Sequence, residues 1–129
     1  MPGRVLLDTN IIIALLAGDD AVQQGLSAAQ EVFLSTVVLG ELFYGAFKSF
    51  HSGKNVNQVL ELADQMPILS CDRETARHYG LIKNRLRQQG KPIPENDLWV
   101  AASAQQHHLW LISRDKHFAL IENLLLASF

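Results

Sequence analysis

Four acidic residues stand where a parallel α/β sheet would gather them at one edge. Asp8 and Asp115 each end a short apolar run that is typical of a buried strand, whereas Glu41 and Asp97 lie in or beside the opening turns of predicted helices. Strand C-termini and the following helix N-termini share one edge of such a sheet, so all four can converge on one cleft. Carboxylates at close range repel one another, and a hard divalent cation relieves that repulsion. All-oxygen ligation suits Mg²⁺ or Mn²⁺.

Each acid also has an ordinary structural explanation. Asp8 and Asp115 can be turn residues, Asp97 can favour its helix N-terminus through the macrodipole, and Glu41 can be a solvated surface residue.

Other kinds of functional site fit the sequence less well. The five histidines lack metal-ligand spacing and Cys71 is the only cysteine, so a zinc site is not expected. The sequence has no glycine-rich phosphate loop and no serine with the flanking glycines of a hydrolase nucleophile turn.

Basic residues are concentrated in one segment. Six of the eleven lysines and arginines fall within residues 73–91. This segment is either the solvated outer face of a helix or a rim that contacts phosphates beside the acidic cleft. For the second alternative, Arg85, Arg87 and Arg114 are the predicted RNA-contacting residues. The net charge of −2 argues against nucleic-acid binding by the surface as a whole.

The composition predicts one globular domain, residues 1–129, with 48% hydrophobic and 19% charged residues. A single cysteine cannot form an intrachain disulfide, so a reducing cytoplasm is the expected compartment. Asp8, Thr9 and Asn10 interrupt the apolar N-terminal region too early for a secretory signal or a membrane span. We therefore expect a soluble protein without a membrane partner.

Strand-like and helix-like segments alternate along the chain, which predicts a three-layer α/β/α sandwich around a mainly parallel sheet. Asn10, Thr36 and Asp72 are predicted to cap helices, and Gly90 to end one. Residues 51–54 are predicted to form a loop and residues 91–94 an extended segment. The predicted strands are 5–7, 31–35, 67–71 and 109–113, with 121–129 as a last strand or a docked tail. The predicted helices are 11–16, 21–30, 37–49, 56–66, 73–89 and one that begins near residue 95.

Four segments together carry a more specific pattern. They are VLLDTN at 5–10, TVVLGELFYGA at 36–46, NDLWVAA at 96–102 and LISRDKHF at 111–118. In this order and spacing they resemble PIN-domain ribonucleases of the VapC type, the toxin half of bacterial toxin–antitoxin pairs. Each segment alone is a weak signal, whereas the four cover essentially the whole chain. The resemblance implies a PIN-like fold.

The resemblance also implies an endoribonuclease that depends on Mg²⁺ or Mn²⁺ and cleaves RNA with a metal-activated water. Asp8, Glu41, Asp97 and Asp115 would be both its catalytic and its metal-binding residues. Because water attacks rather than the ribose 2′-OH, a 5′-phosphate product is expected.

Three further residues are expected to support the acidic site. Thr9 and Asn10 follow the first aspartate, and Ser113 stands where the family has a threonine or serine hydroxyl. One departure is Glu122-Asn123, where the family often has glycine before its last strand. That difference concerns the C-terminal segment and leaves the acidic residues unaffected.

The implied partners are an RNA substrate, a cognate VapB-type antitoxin and a second copy of the chain. Phe43, Phe47 and Phe50 add an apolar surplus that one small domain need not bury. Two alternatives remain open. A non-catalytic PIN-like module would bind RNA or protein without cutting, and a receiver-type phosphoacceptor domain would leave Glu41 unexplained.

Overall fold

The computed structural model describes residues 3–129 and contains a five-stranded sheet in which every strand pairing is parallel. The strand order across the sheet is β3-β2-β1-β4-β5. The strands are β1 (Arg4–Leu7), β2 (Glu31–Ser35), β3 (Ile68–Leu69), β4 (Trp110–Ile112) and β5 (Leu126–Ala127). The predicted fold class, a helix-covered parallel sheet, is confirmed.

The central strand β1 is covered on both faces. Val5, Leu6 and Leu7 are consecutive, so their side chains alternate between the two faces of the sheet, yet all three are completely buried. In the neighbouring strand β4, the consecutive residues Leu111 and Ile112 are likewise completely buried. Burial on both faces requires a helical layer on each side, which explains the continuous apolar runs in the sequence.

The helices that form these layers follow the strands in order. They are α1 (Thr9–Leu16), α2 (Asp20–Ala28), α3 (Thr36–Phe47), α4 (Ser52–Gln65), α5 (Arg73–Gln88) and α6 (Glu95–Gln106). A 3₁₀ helix, Lys116–Leu120, follows β4. No helix among residues 3–129 is long and apolar enough to cross a membrane.

The strand order creates a crevice between the ends of β1 and β4. The chain moves from β1 outward through β2 to β3, and then returns to the other side of β1 to form β4. The connections that leave β1 and β4 therefore diverge, and such a switch point is where open α/β sheets bind ligands. Asp8 follows β1 directly, and residues 113–115 follow β4.

Two helix caps differ from the sequence prediction. The N-cap residue of α1 is Asp8 and the helix begins at Thr9, although Asn10 was the predicted cap. The Asp8 side chain makes no capping bond, because it accepts a hydrogen bond from the Ser113 hydroxyl across the crevice. In α3 the cap is Ser35, whose hydroxyl accepts from the Val38 amide at 3.1 Å, and the predicted Thr36 is already helical.

Other boundaries also differ. Residues from Ser52 onward belong to α4, so most of the predicted loop 51–54 is helical. The predicted strand 67–71 is reduced to β3, and the 3₁₀ helix was not predicted at all. Asp72 does cap α5, in a reciprocal arrangement with Thr75, and Gly90 ends it with φ +67°. The C-terminal segment combines both alternatives, since β5 joins the sheet and Phe129 packs on Gly25.

Candidate metal centre

Asp8 is held rigidly at the switch-point crevice. Only 5% of the residue is exposed, and the Ser113 hydroxyl donates to Asp8 Oδ2 at 2.7 Å. The same Ser113 oxygen accepts a hydrogen bond from the Asp115 backbone amide at 3.0 Å. It also lies 3.5 Å from Asn10 Nδ2. Asn10 Oδ1 in turn accepts from the Arg114 amide at 3.3 Å. These hydrogen bonds fasten the end of β1 to the end of β4 and fix the direction of the Asp8 carboxylate.

Asp97 enters the crevice from the first turn of α6. Its side chain is 17% exposed. Burial raises the pKa of Asp97, and the negative charges of Asp8 and Asp115 raise it further, whereas His117 opposes the rise. Asp97 is therefore within electrostatic range of both aspartates, and potential ligand atoms of Asp97 and Asp115 lie within 4.8 Å of each other.

Glu41 reaches the same region from α3. The pKa of Glu41 is raised by burial first, and then by the charges of Asp97 and Asp8, with the neighbouring Thr9 hydroxyl opposing the rise. Glu41 Oε1 and Thr9 Oγ1 are both buried, and neither has a partner in hydrogen-bond geometry. The explanation of Glu41 as a solvated surface residue is therefore wrong.

His117 completes the cluster, and the sequence analysis missed it. Its Nδ1 lies 2.7 Å from Asp115 Oδ1, and its Nε2 lies 2.7 Å from Asp97 Oδ2. Potential ligand atoms of Asp97, Asp115 and His117 all lie within 4.8 Å of one another. The five histidines were judged by their spacing from one another, which reveals only sites built from several histidines. A histidine two residues after a strand-end aspartate was the signal that could have been used.

The donor set fits a divalent cation. Glu41 Oε1 and Thr9 Oγ1 are buried polar atoms at the acidic crevice that have no partner in hydrogen-bond geometry, and the buried His117 Nε2 contacts Asp97 Oδ2. An unsatisfied buried polar atom is costly, so two at one crevice favour a group that the protein itself does not provide. Carboxylate and hydroxyl oxygens are the ligands of hard ions such as Mg²⁺ and Mn²⁺.

The sequence model of the PIN domain matches residues 5–124. Ribonuclease VapC2 of Haemophilus influenzae is 32% identical over 114 residues, which cover 87% of this chain and 86% of the relative. This chain is a VapC-type PIN-domain protein.

Two solved structures agree with that assignment to the VapC type. The chain resembles one in VapBC2 from Rickettsia felis bound to a DNA fragment from their promoter, with a TM-score of 0.90 and 28% identity. That alignment covers 97% of this chain and 98% of the other. The chain also resembles one in VapBC-1 from nontypeable Haemophilus influenzae, with a TM-score of 0.89 and 30% identity. That alignment covers 96% of each chain.

The three arginines predicted to contact RNA do not lie together in this VapC-type domain. Arg85 lines a cavity of about 320 Å³ beside Gln105, near the end of α6. Arg87 lines a separate small cavity with Glu95, where α6 begins. The Arg114 guanidinium pairs with Asp19 at 2.9 Å and donates to the Phe129 carbonyl. A single basic rim formed by all three is therefore not observed, and RNA contact by each residue stays a prediction.

Proposed function

We propose that this protein is a metal-dependent endoribonuclease and the toxin of a toxin–antitoxin pair, working in the cytoplasm. The observation that carries the proposal is the convergence of Asp8, Glu41 and Asp97 with Asp115 at the switch-point crevice, around buried polar atoms that lack partners. The names of the relatives support it, because several are ribonucleases of the VapC type.

The residues of the crevice have distinct tasks in this proposal. A bound Mg²⁺ or Mn²⁺ supplies Lewis-acid activation of a water and of the scissile phosphate. Asp8, Asp97 and Asp115 would hold the cation, with Asp8 oriented by the Ser113 hydroxyl. Glu41 lies within electrostatic range of Asp97 and Asp8 and could accept the proton of the activated water.

RNA cleavage by the purified protein tests this proposal. The protein should cut RNA with Mg²⁺ or Mn²⁺ and stop when EDTA is added, and the new 5′ ends should carry phosphate. Asp97→Asn should reduce the rate by a factor on the order of 10² or more, because it removes a charged ligand. Asp64→Asn, an exposed aspartate on α4, is the matched control and should cut normally.

Two outcomes would contradict the proposal. Cleavage that is unchanged in EDTA would exclude the metal mechanism. RNA binding without any cleavage in either metal would favour the non-catalytic binding module. Sequencing the new 5′ ends after treatment of total RNA would identify the target.

We further propose that a VapB-type antitoxin binds a groove beside the crevice. The groove measures about 330 Å³, and its lining includes Ile13, Leu16 and Leu42 together with Glu41. Ile13 is 58% exposed, which is unusual for so apolar a residue. The arrangement suits an apolar segment that ends in a cation directed at the carboxylates.

A pair of matched variants tests the groove. Ile13→Ser should weaken antitoxin binding, whereas Leu60→Ser, at an exposed leucine outside the groove lining, should not. Titration calorimetry with the cognate antitoxin measures the difference. Equal effects of both changes would place the antitoxin elsewhere.

A homodimer is the remaining part of the proposal. Tyr44, Phe47 and Phe50 are 67%, 66% and 95% exposed at the end of α3 and just beyond it. Exposed aromatic residues of this density are typical of protein interfaces. Light scattering should give a dimer for the parent chain and a monomer for Phe47→Ser/Phe50→Ser, and a monomeric parent would refute the dimer.

A further inference from the structure

We propose that His117 is a nitrogen ligand of the metal centre, oriented by Asp115, and that it makes the site prefer Mn²⁺ to Mg²⁺. The inference deepens the proposed function, since it concerns the same metal. It begins with the two contacts of the imidazole ring. One ring nitrogen faces Asp115 and the other faces Asp97, each at 2.7 Å.

The two ring nitrogens are not equivalent. Asp115 is anchored independently, because its backbone amide donates to Ser113, and its Oδ1 also accepts from the His117 amide. Asp115 Oδ1 can thus accept a proton from Nδ1. Nε2 is buried and contacts Asp97 Oδ2 at 2.7 Å, so a proton or a cation on Nε2 would be shared with that carboxylate. When the ring proton is on Nδ1, which faces Asp115, Nε2 offers a lone pair to a cation.

Nε2 and the Asp97 oxygen face each other, so they can be joined by a proton on Nε2 or by a cation. A cation bound by both atoms would take the place of that proton. Adjacent ligands of an octahedral ion lie about 3 Å apart, given bond lengths of about 2.1 Å. The observed separation of 2.7 Å is close to that spacing. A carboxylate that holds the other nitrogen is the usual support of a metal-bound histidine, and Asp115 provides it. Because Asp115 Oδ1 lies on the Nδ1 side of the ring, Asp115 would support the cation through His117 rather than as a direct ligand.

The ring is also fixed by its place in the fold. Phe118 is completely buried and anchors the 3₁₀ helix, with the His117 and Phe118 rings 4.9 Å apart. Little rearrangement would be needed for Nε2 to reach the cation. A nitrogen donor among oxygens favours a transition metal, so Mn²⁺ gains more from His117 than Mg²⁺ does.

Electron spin-echo spectroscopy of bound Mn²⁺ tests the inference without RNA or activity. Metal-free protein receives less than one equivalent of Mn²⁺ and is frozen. The echo should show ¹⁴N modulation from a directly bound imidazole, and ¹⁵N-histidine labelling of the parent chain should alter it. His117→Gln should abolish the modulation, and His51→Gln, at an exposed histidine, should retain it.

Metal affinities measured by calorimetry provide the second readout. His117→Gln should weaken Mn²⁺ binding tenfold or more, the scale of losses at metal-supporting residues, and change Mg²⁺ binding by less than about threefold. If that variant does not fold, the labelling result on the parent chain decides alone.

Three results would overturn the inference. Bound Mn²⁺ without nitrogen modulation would show that His117 is not a ligand and would leave the proposed nuclease intact. Equal losses for both metals would make His117 only a positioning residue for the carboxylates. Failure to bind Mn²⁺ at all would refute both this inference and the metal-dependent function.

Discussion

Replacing Glu41 with glutamine should stabilise the metal-free protein. Glu41 is partly buried, one of its oxygens lacks a partner, and the charges of Asp97 and Asp8 oppose its ionisation. Two like charges about 6 Å apart repel by roughly 3 kcal/mol at an effective dielectric constant of 20. With allowance for solvent screening, about 1 to 2 kcal/mol should be recovered, which raises the melting temperature by about 4 to 8 °C in a domain of this size.

The metal should reverse this order. At a hundred times its dissociation constant, a cation that binds only the folded protein adds about 2.7 kcal/mol to the free energy of unfolding. Glu41→Gln removes a charged oxygen from the cation's surroundings, so the metal should raise the free energy of unfolding of this variant much less. Thermal melts with EDTA and with millimolar Mn²⁺ measure both effects, and Glu61→Gln, on the exposed surface of α4, serves as the control. The reasoning fails if Glu41→Gln behaves like Glu61→Gln under both conditions.

Two further predictions concern stability. Because the pKa values of Glu41 and Asp97 are raised, the folded protein binds protons at pH values where the unfolded chain does not. The free energy of unfolding of the metal-free protein should therefore rise as the pH falls through the raised values towards about 4, the ordinary value, and urea denaturation should detect this. A steady loss of stability over that range would contradict the prediction. Gly25→Ala would place a Cβ 2.4 Å from the Phe129 ring and should cost about 1 to 2 kcal/mol, whereas Gly53→Ala, where a Cβ meets nothing within 4 Å, should add about 0.5 to 1 kcal/mol. Equal denaturation midpoints for the two glycine variants would show that the Phe129 ring moves freely.

The site residues at strand ends could be predicted from the sequence because a buried strand has a recognisable local composition. A strand buried on both faces needs a continuous apolar run, so the first acid after that run marks its end. Asp8 was located in this way. Asp72 was recognised as a cap for a similar reason, since its hydrogen bonds to the amides of residues 74 and 75 are local.

The cap of α1 and the role of His117 could not be predicted from the sequence, because both depend on contacts between distant segments. Asn10 was the better cap by residue type, but the Asp8 side chain is drawn to Ser113 on another strand, and the helix begins earlier. His117 belongs to a short 3₁₀ helix with no periodic pattern. Its place between Asp97 and Asp115 depends on the return of the chain to β4 beside β1.

The hydrogen bond between Ser113 and Asp8 also has a consequence for synthesis of the protein. It joins residues 105 positions apart, so the two halves of the crevice are synthesised at different times. A nascent chain that has released β1, β2 and β3 from the ribosome carries Asp8 and Glu41 but still lacks Asp97, Asp115 and the serine that orients Asp8. The proposed metal site therefore stays incomplete until residues 97–115 have also emerged and β4 has docked.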